Sequence, residues 1–139
     1  MKKIVGITIT TIIVIIGAFY LLNSRSNTTF NEVVLEMPEI TSIEIIKSSA
    51  EKEVFIENEN VITQLLKHFS EAELKEDEVG SINFDESYWL TLRTNGERKL
   101  GITVYDENYL MIFDYSTSNQ TSYRIISGFD SSKIEQYFD

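Results

Sequence analysis

Between Tyr88 and Ile125 an apolar side chain recurs at nearly every second position: Tyr88, Leu90 and Leu92, then Leu100, Ile102 and Val104, then Leu110 and Ile112, then Tyr123 and Ile125. A period of two is the signature of strands buried on one face only, and it restricts this part of the chain to a sheet with something packed against one side. Three turn signals divide the stretch into four strands, so the simplest reading is an antiparallel meander. Register follows from the requirement that apolar residues share a face. A two-residue Asn95-Gly96 turn sets Leu90 opposite Gly101 and throws the two apolar sets onto opposite faces. A three-residue loop, Thr94-Asn95-Gly96, sets Leu90 opposite Leu100, Tyr88 opposite Ile102 and Arg93 opposite Glu97, with Gly96 in the left-handed position. A loop Asp106-Glu107-Asn108 pairs Val104 with Leu110 and Ile102 with Ile112, with Asn108 suited to the left-handed position. A four-residue loop, Ser116 to Asn119, adds Tyr123 and Ile125 to the same face.

Upstream, Ile40 to Lys47 and Glu53 to Glu57 read as a hairpin, with Ile43 and Ile45 alternating in one arm and Val54 and Ile56 in the other. The spacing of Val61, Ile62, Leu65, Leu66 and Phe69 predicts an amphipathic helix capped by Asn60, whose stripe belongs on the apolar face of the meander. Val33 to Glu36 is a candidate short strand, which Pro38 keeps from continuing into Ile40 or confines to a sheet edge. Residues 71–87, with Glu71, Glu73, Glu76, Asp77 and Glu78 close together, read as an exposed loop. A short terminal helix is expected from Ser131 to Phe138, started by Asp130 or Ser131 and presenting Ile134, Tyr137 and Phe138. The fold class expected is α+β: an antiparallel β-meander of four or more strands with one packed helix and a short C-terminal helix.

The N-terminus obeys a different constraint. Residues 4–22 form an uncharged apolar run preceded by Lys2 and Lys3, long enough to cross a bilayer as a transmembrane helix. The flanking lysines predict that the N-terminus stays in the cytoplasm. A cleaved signal peptide is the rival reading, in which the rest of the chain is secreted. Three segments are expected: a membrane anchor or signal segment at 1–26, a spacer and lead-in at 27–39 with polar composition up to about Asn31, and an extracytoplasmic domain at 40–139. Every acidic residue lies at or beyond Glu32, whereas Lys2, Lys3 and Arg25 flank the apolar run, so the domain is more acidic than the whole-chain net charge of -10. That charge argues against nucleic acid and anionic headgroups as partners of the domain. Without cysteine there are no disulfides, zinc-thiolate sites or thiol catalysis.

The second face of the meander carries Trp89, Thr91, Thr103, Tyr105, Tyr109, Met111 and Phe113, more aromatic than a solvated sheet face requires. Two readings compete. It binds a partner protein or apolar ligand, Trp and Tyr offering large contact area with a polar handle. Alternatively it is covered by the terminal helix or N-terminal strands, or Phe113 simply fills the space over Gly101. Other constellations are weaker. The carboxylates at 71–78 lack the spacing of a calcium loop. The Asp85-Glu86 and Asp106-Glu107 pairs point to opposite faces of a strand or to water, unlike a glycosidase pair. His68, the only histidine, sits at the edge of the helical stripe, and Arg93, Arg98 and Lys99 are expected to form rim salt bridges with Glu97. No cofactor, metal or catalytic residue is expected.

Met1-Lys2-Lys3 with its apolar segment, the Ile40-Thr41-Ser42-Ile43-Glu44-Ile45 strand, the Val61 to Phe69 helix and the hairpins ending in Tyr123-Arg124-Ile125-Ile126 resemble the small exported proteins of unknown function from Bacillus-like Gram-positive bacteria. The resemblance covers nearly the whole chain and implies location and fold; it carries no site residues over. Many such proteins are lipoproteins, and the missing cysteine departs from that. The function expected is a non-enzymatic, membrane-tethered accessory domain contacting an envelope protein. An immunity or inhibitor protein of the envelope and an envelope enzyme are the alternatives.

Overall fold

The computed structural model describes residues 11–19, 27–34, 37–78 and 80–139. Its described strands form one antiparallel sheet of eight, in the order β1-β4-β8-β7-β6-β5-β2-β3. The strands are β1 (Thr28–Thr29), β2 (Ser42–Lys47), β3 (Lys52–Ile56), β4 (Glu73–Glu76), β5 (Ser87–Thr94), β6 (Glu97–Tyr105), β7 (Tyr109–Asp114) and β8 (Asn119–Ser127). The meander β5-β6-β7-β8 is the expected centre, and the expected β2-β3 hairpin extends it on one side. The other side is built from a segment read as loop. Residues 73–76 form β4, with Leu74 fully buried, and Ser87 is the buried first residue of β5, so the exposed-loop reading of 71–87 is corrected at both ends. Leu74 lies one residue from Lys75 and between charged neighbours, and a single buried leucine in an acidic run gives no periodicity to read.

The lead-in is also part of the fold. β1 pairs with β4, Phe30 is fully buried, and Phe30–Val33 form a helical turn, α2, where a strand over Val33 to Glu36 was expected. Thr29 and Glu32 explain the difference: the Thr29 side chain accepts from the Glu32 N–H while the Glu32 carboxylate accepts from the Thr29 N–H, a capping box that closes one helical turn. Residues 35 and 36 of that expected strand lie outside the described residues.

The β5-β6 hairpin differs from expectation in register. Thr94 pairs with Glu97 across a two-residue turn in which Asn95 (φ 51) and Gly96 (φ 84) are both left-handed, the geometry of a type I′ turn. Arg93 then pairs with Arg98 but Leu92 with Leu100, so Lys99 is an extra residue on β6. This bulge shifts the ladder by one and returns Leu90 to Ile102 and Tyr88 to Val104, keeping all six apolar residues on one face. The three-residue loop is not formed; the bulge, not the turn, brings the two apolar sets onto one face. The β6-β7 register is as expected, although Asp106 (φ 49), not Asn108, takes the left-handed position. The β7-β8 loop is residues 115–118, one position earlier than expected, pairing Leu110 with Tyr123.

The core lies on the face carrying Tyr88, Leu90, Leu92, Leu100, Ile102, Val104, Leu110 and Ile112, all buried. Over it packs α3 (Glu59–Ser70), whose Ile62, Leu65 and Phe69 are buried. Its cap is Asn58, not Asn60: the Asn58 side chain accepts from the N–H groups of Asn60 (3.0 Å) and Val61 (3.2 Å). Phe69 anchors the layer, with ring centroids 5.5 Å from both Phe30 and Phe129. The terminal helix α4 is shorter than expected, Ser132–Glu135, and buries Ile134 beside α3, with Phe138 beyond it also buried. Residues 11–19 are helical (α1), with Ile12, Ile13, Val14, Ile15, Ile16 and Phe19 each more than half exposed. Among the described residues no helix is long and apolar enough to cross a membrane; residues 4–10 and 20–22 of the expected transmembrane run lie outside them.

Where β8 leaves the sheet it crosses the end of α3. Gly128 has φ +78, and a β-carbon there would lie 2.1 Å from the Glu71 carbonyl oxygen. Only glycine fits this crossing. Gly128→Ala is therefore expected to cost at least about 2 kcal/mol and to lower the thermal midpoint by roughly 5–15 °C. Gly80→Ala, at a site with open space around it, is the control and should be nearly silent; equal effects in circular-dichroism melts contradict the crossing's role.

Candidate interaction face

The pairing registers define what the opposite face of the sheet presents. One rung runs Glu53, Ile46, Trp89, Thr103, Met111, Ser122 across β3, β2, β5, β6, β7 and β8; the next runs Phe55, Glu44, Thr91, Gly101, Phe113, Gln120. Tyr105 and Tyr109 are directly paired in a third rung that continues to Arg124. The six residues expected on this face, Trp89, Thr103, Tyr105, Tyr109, Met111 and Phe113, thus lie together on three neighbouring rungs. The alternative in which the terminal helix or N-terminal strands cover them does not hold among the described residues: α2, α3 and α4 all send their buried residues to the other face, and β1 joins the sheet edge. Trp89 is 50% exposed and Phe55 62%; the other five are half-buried by their neighbours in the sheet.

Part of the cover that does exist comes from loops. Tyr115 folds back over Gly101, where a β-carbon would lie 3.5 Å from its ring, and packs edge-on against Phe113 at 4.8 Å. Phe113 and Tyr115 together fill the space that Phe113 alone was expected to fill. Arg98 stacks on the Tyr115 ring, 5.9 Å from its centroid. At the other margin Phe84 packs on Tyr105 at 4.9 Å. Trp89 receives no such lid. It sits instead at the wall of a cavity of about 430 Å³ lined also by Ile46, Lys47, Ser48, Glu51 and Glu53.

Phe55 and Ile46 are members of this face that the sequence reading did not assign to it. Their alternation in the first hairpin was visible, but which face of the meander it continued depends on β2 pairing with β5, a contact between segments some 45 residues apart. Loop residues Tyr115 and Phe84 carry no periodic signal at all.

The charged groups of the face are unevenly satisfied. Arg93 holds Glu44 at 2.6 Å and keeps its carboxyl below the usual range, with burial opposing. Glu53 is pushed the other way, chiefly by its bond to the Glu44 carboxylate and then by burial. Lys99, not Arg93 or Arg98, is the residue that pairs with Glu97, at 2.8 Å.

Several of the remaining carboxylates serve structure. Asp106 accepts from the N–H groups of Asp85 (3.2 Å) and Glu86 (2.9 Å), and Glu86 accepts from Ser48, Ser49 and Ser87. Burial works to raise the Glu86 carboxyl, but the bonds from Ser49, Ser48 and Ser87 outweigh it and pull it down. On the helix side Glu135 of α4 accepts from Lys47 and from the Tyr88 hydroxyl, tying the terminal helix to β2 and β5. Burial first, then Glu135, pushes the Tyr88 hydroxyl up. Of the acidic run, Glu73 accepts from Asn27 and Ser127, and Asp77 pairs with Arg124 at 2.7 Å. His68 sits at the stripe's edge, half-buried as expected, its Nε2 2.9 Å from the Asp130 carbonyl and its ring 5.0 Å from Phe129.

Comparison with protein-family models, with curated proteins and with solved structures gives no match to this chain.

The Glu135 clamp has a pH signature. Lys47 first, and then Tyr88, hold the Glu135 carboxyl below its ordinary value of 4.5. A depressed folded value stabilises the fold fully above that pH and is lost as pH falls through the folded value. Glu135→Gln should therefore lower the thermal midpoint at pH 7, and the gap to the unmodified chain should close in melts taken at progressively more acid pH below 4.5. A gap that stays constant contradicts the clamp.

Proposed function

We propose that this chain is a membrane-tethered binding module, working outside the cytoplasm, that docks a partner protein of the cell envelope on its open sheet face. The observation that carries this reading is the half-exposed Trp89 at the centre of a face that no described helix covers, flanked by Ile46, Phe55, Met111, Tyr105 and Tyr109. An exposed apolar face of this kind costs solubility unless it is used, and tryptophan and tyrosine are the residues that most often anchor protein contacts. Across β5, β6 and β7 its two central rungs are uncharged, from Trp89 to Met111 and from Thr91 to Phe113, with Glu44, Glu53 and Arg93 to one side, the composition of a contact core with a polar rim. The tether is supported by the uncharged run 4–22 behind Lys2 and Lys3 and by the apolar side chains that α1 exposes all round. A face held outward by a single anchor and a short polar spacer is sterically free to meet a neighbour in or on the same membrane.

A photo-crosslinking amino acid placed at Thr103 or Met111 of the full chain in its own membranes tests the reading. A discrete adduct is expected from either position, lost on Trp89→Ala, and absent when the crosslinker replaces Gln64 on the helix side. Because Trp89 is half exposed, Trp89→Ala should change stability by less than about 1 kcal/mol, so loss of the adduct would not reflect unfolding. No adduct from the open face, or equal adducts from both sides, overturns the proposal.

A further inference from the structure

The cavity beside Trp89 has an electrostatic imbalance that says what a docked partner offers it. Among the described residues three cations of the open face are engaged, Arg93 by Glu44, Arg124 by Asp77 and Arg98 on the Tyr115 ring, while Lys75 lies on β4, four strands away from β5. Lys47, which lines the cavity, is turned to Glu135, with Glu86 4.0 Å away. Glu53 has no cation within salt-bridge distance among the described residues, and its carboxyl hydrogen-bonds the Glu44 carboxylate. Glu51, in the β2-β3 turn, adds a second carboxylate to the same wall. The cavity thus joins an exposed indole face, an aliphatic floor at Ile46 and carboxyl groups that no cation pairs among the described residues.

Resting on the open-face reading above, we infer that the partner inserts a lysine or arginine side chain into this cavity, its alkyl stem against Ile46 and Trp89 and its charge between the indole and Glu53. A cation over an indole is attracted by the ring quadrupole, and a carboxylate at the rim adds to that attraction without requiring full desolvation. Charge complementarity extends beyond the cavity, since the chain's net charge is -10 and draws basic partners at long range.

Trp89 is the only tryptophan in the chain, so its fluorescence reports on this cavity alone. The full chain in neutral detergent is titrated with N-acetyl-Leu-Lys-Leu-amide and with the neutral N-acetyl-Leu-Gln-Leu-amide. The lysine peptide is expected to change Trp89 emission saturably and to bind about two- to five-fold more tightly than its neutral counterpart. Glu53→Gln should erase that preference with an unchanged melting profile, and Gln64→Ala on the helix side should leave it intact. Equal binding of the two peptides, or a preference that survives Glu53→Gln, overturns the cation site while the open-face reading stands. No saturable change with either peptide overturns both.

Discussion

The structure depends on the apolar stripe of α3 lying across one face of the sheet. Ile62, Leu65 and Phe69 descend into a layer whose floor is Leu90, Ile102, Val104 and Leu110, and Phe69 meets Phe30 from the lead-in and Phe129 from the terminal segment. Three chain segments remote in sequence are brought to one aromatic cluster. Truncating such a buried ring removes both its transfer free energy and the packing of its neighbours, on the order of 3–5 kcal/mol. The rest of the architecture serves this contact. The Gly128 crossing lets β8 pass within backbone distance of the α3 terminus, and the Glu135 clamp holds α4 against the same face.

Concentrating every buried helix residue on one side leaves the other side to the sheet alone. A two-layer domain of this size has no third layer to hide a second apolar face, and such faces are ordinarily polar. Here two neighbouring rungs keep Ile46, Trp89 and Met111, and Phe55 and Phe113, on the outer face, and loop residues Tyr115 and Phe84 shelter only the margins. The polar groups that do reach the face are organised around Glu44 and Arg93, which fix one rim, while Glu53 and Trp89 are left facing solvent. Fold and proposed function are linked by this asymmetry: the core fixes which residues face outward, and the outward set has the chemistry of a contact surface.

Much of this was legible in the sequence because period-two alternation survives small errors of register. The ten residues assigned to the core face all lie on it, nine buried and Ile125 partly so, even though the β5-β6 turn and the β7-β8 loop were placed differently. A bulge at Lys99 is invisible to alternation, since it acts by breaking the ladder where Arg93 and Arg98 already carry no apolar signal. The β4 strand was missed because one buried residue, Leu74, has no partner to alternate with. The α2 turn was missed because its capping box, Thr29 to Glu32, lies in a polar stretch that reads as spacer. For the candidate face, the six residues on β5, β6 and β7 followed from local pairing, whereas Phe55, Ile46 and Glu53 required the long-range pairing of β2 with β5. The cavity at Trp89 is built across that junction, so its carboxylates could not be assigned to it from the chain alone.

The central claim is that the second face of the sheet is open in the free protein, and hydroxyl-radical footprinting of the full chain measures this directly. Trp89, Tyr109 and Met111 should label far faster than Tyr88 and Tyr123, the aromatic residues of the buried face. Labelling of Trp89 and Met111 as slow as that of Tyr88 would mean that a second layer covers the face, and the account of this protein as a one-sided sheet would be wrong.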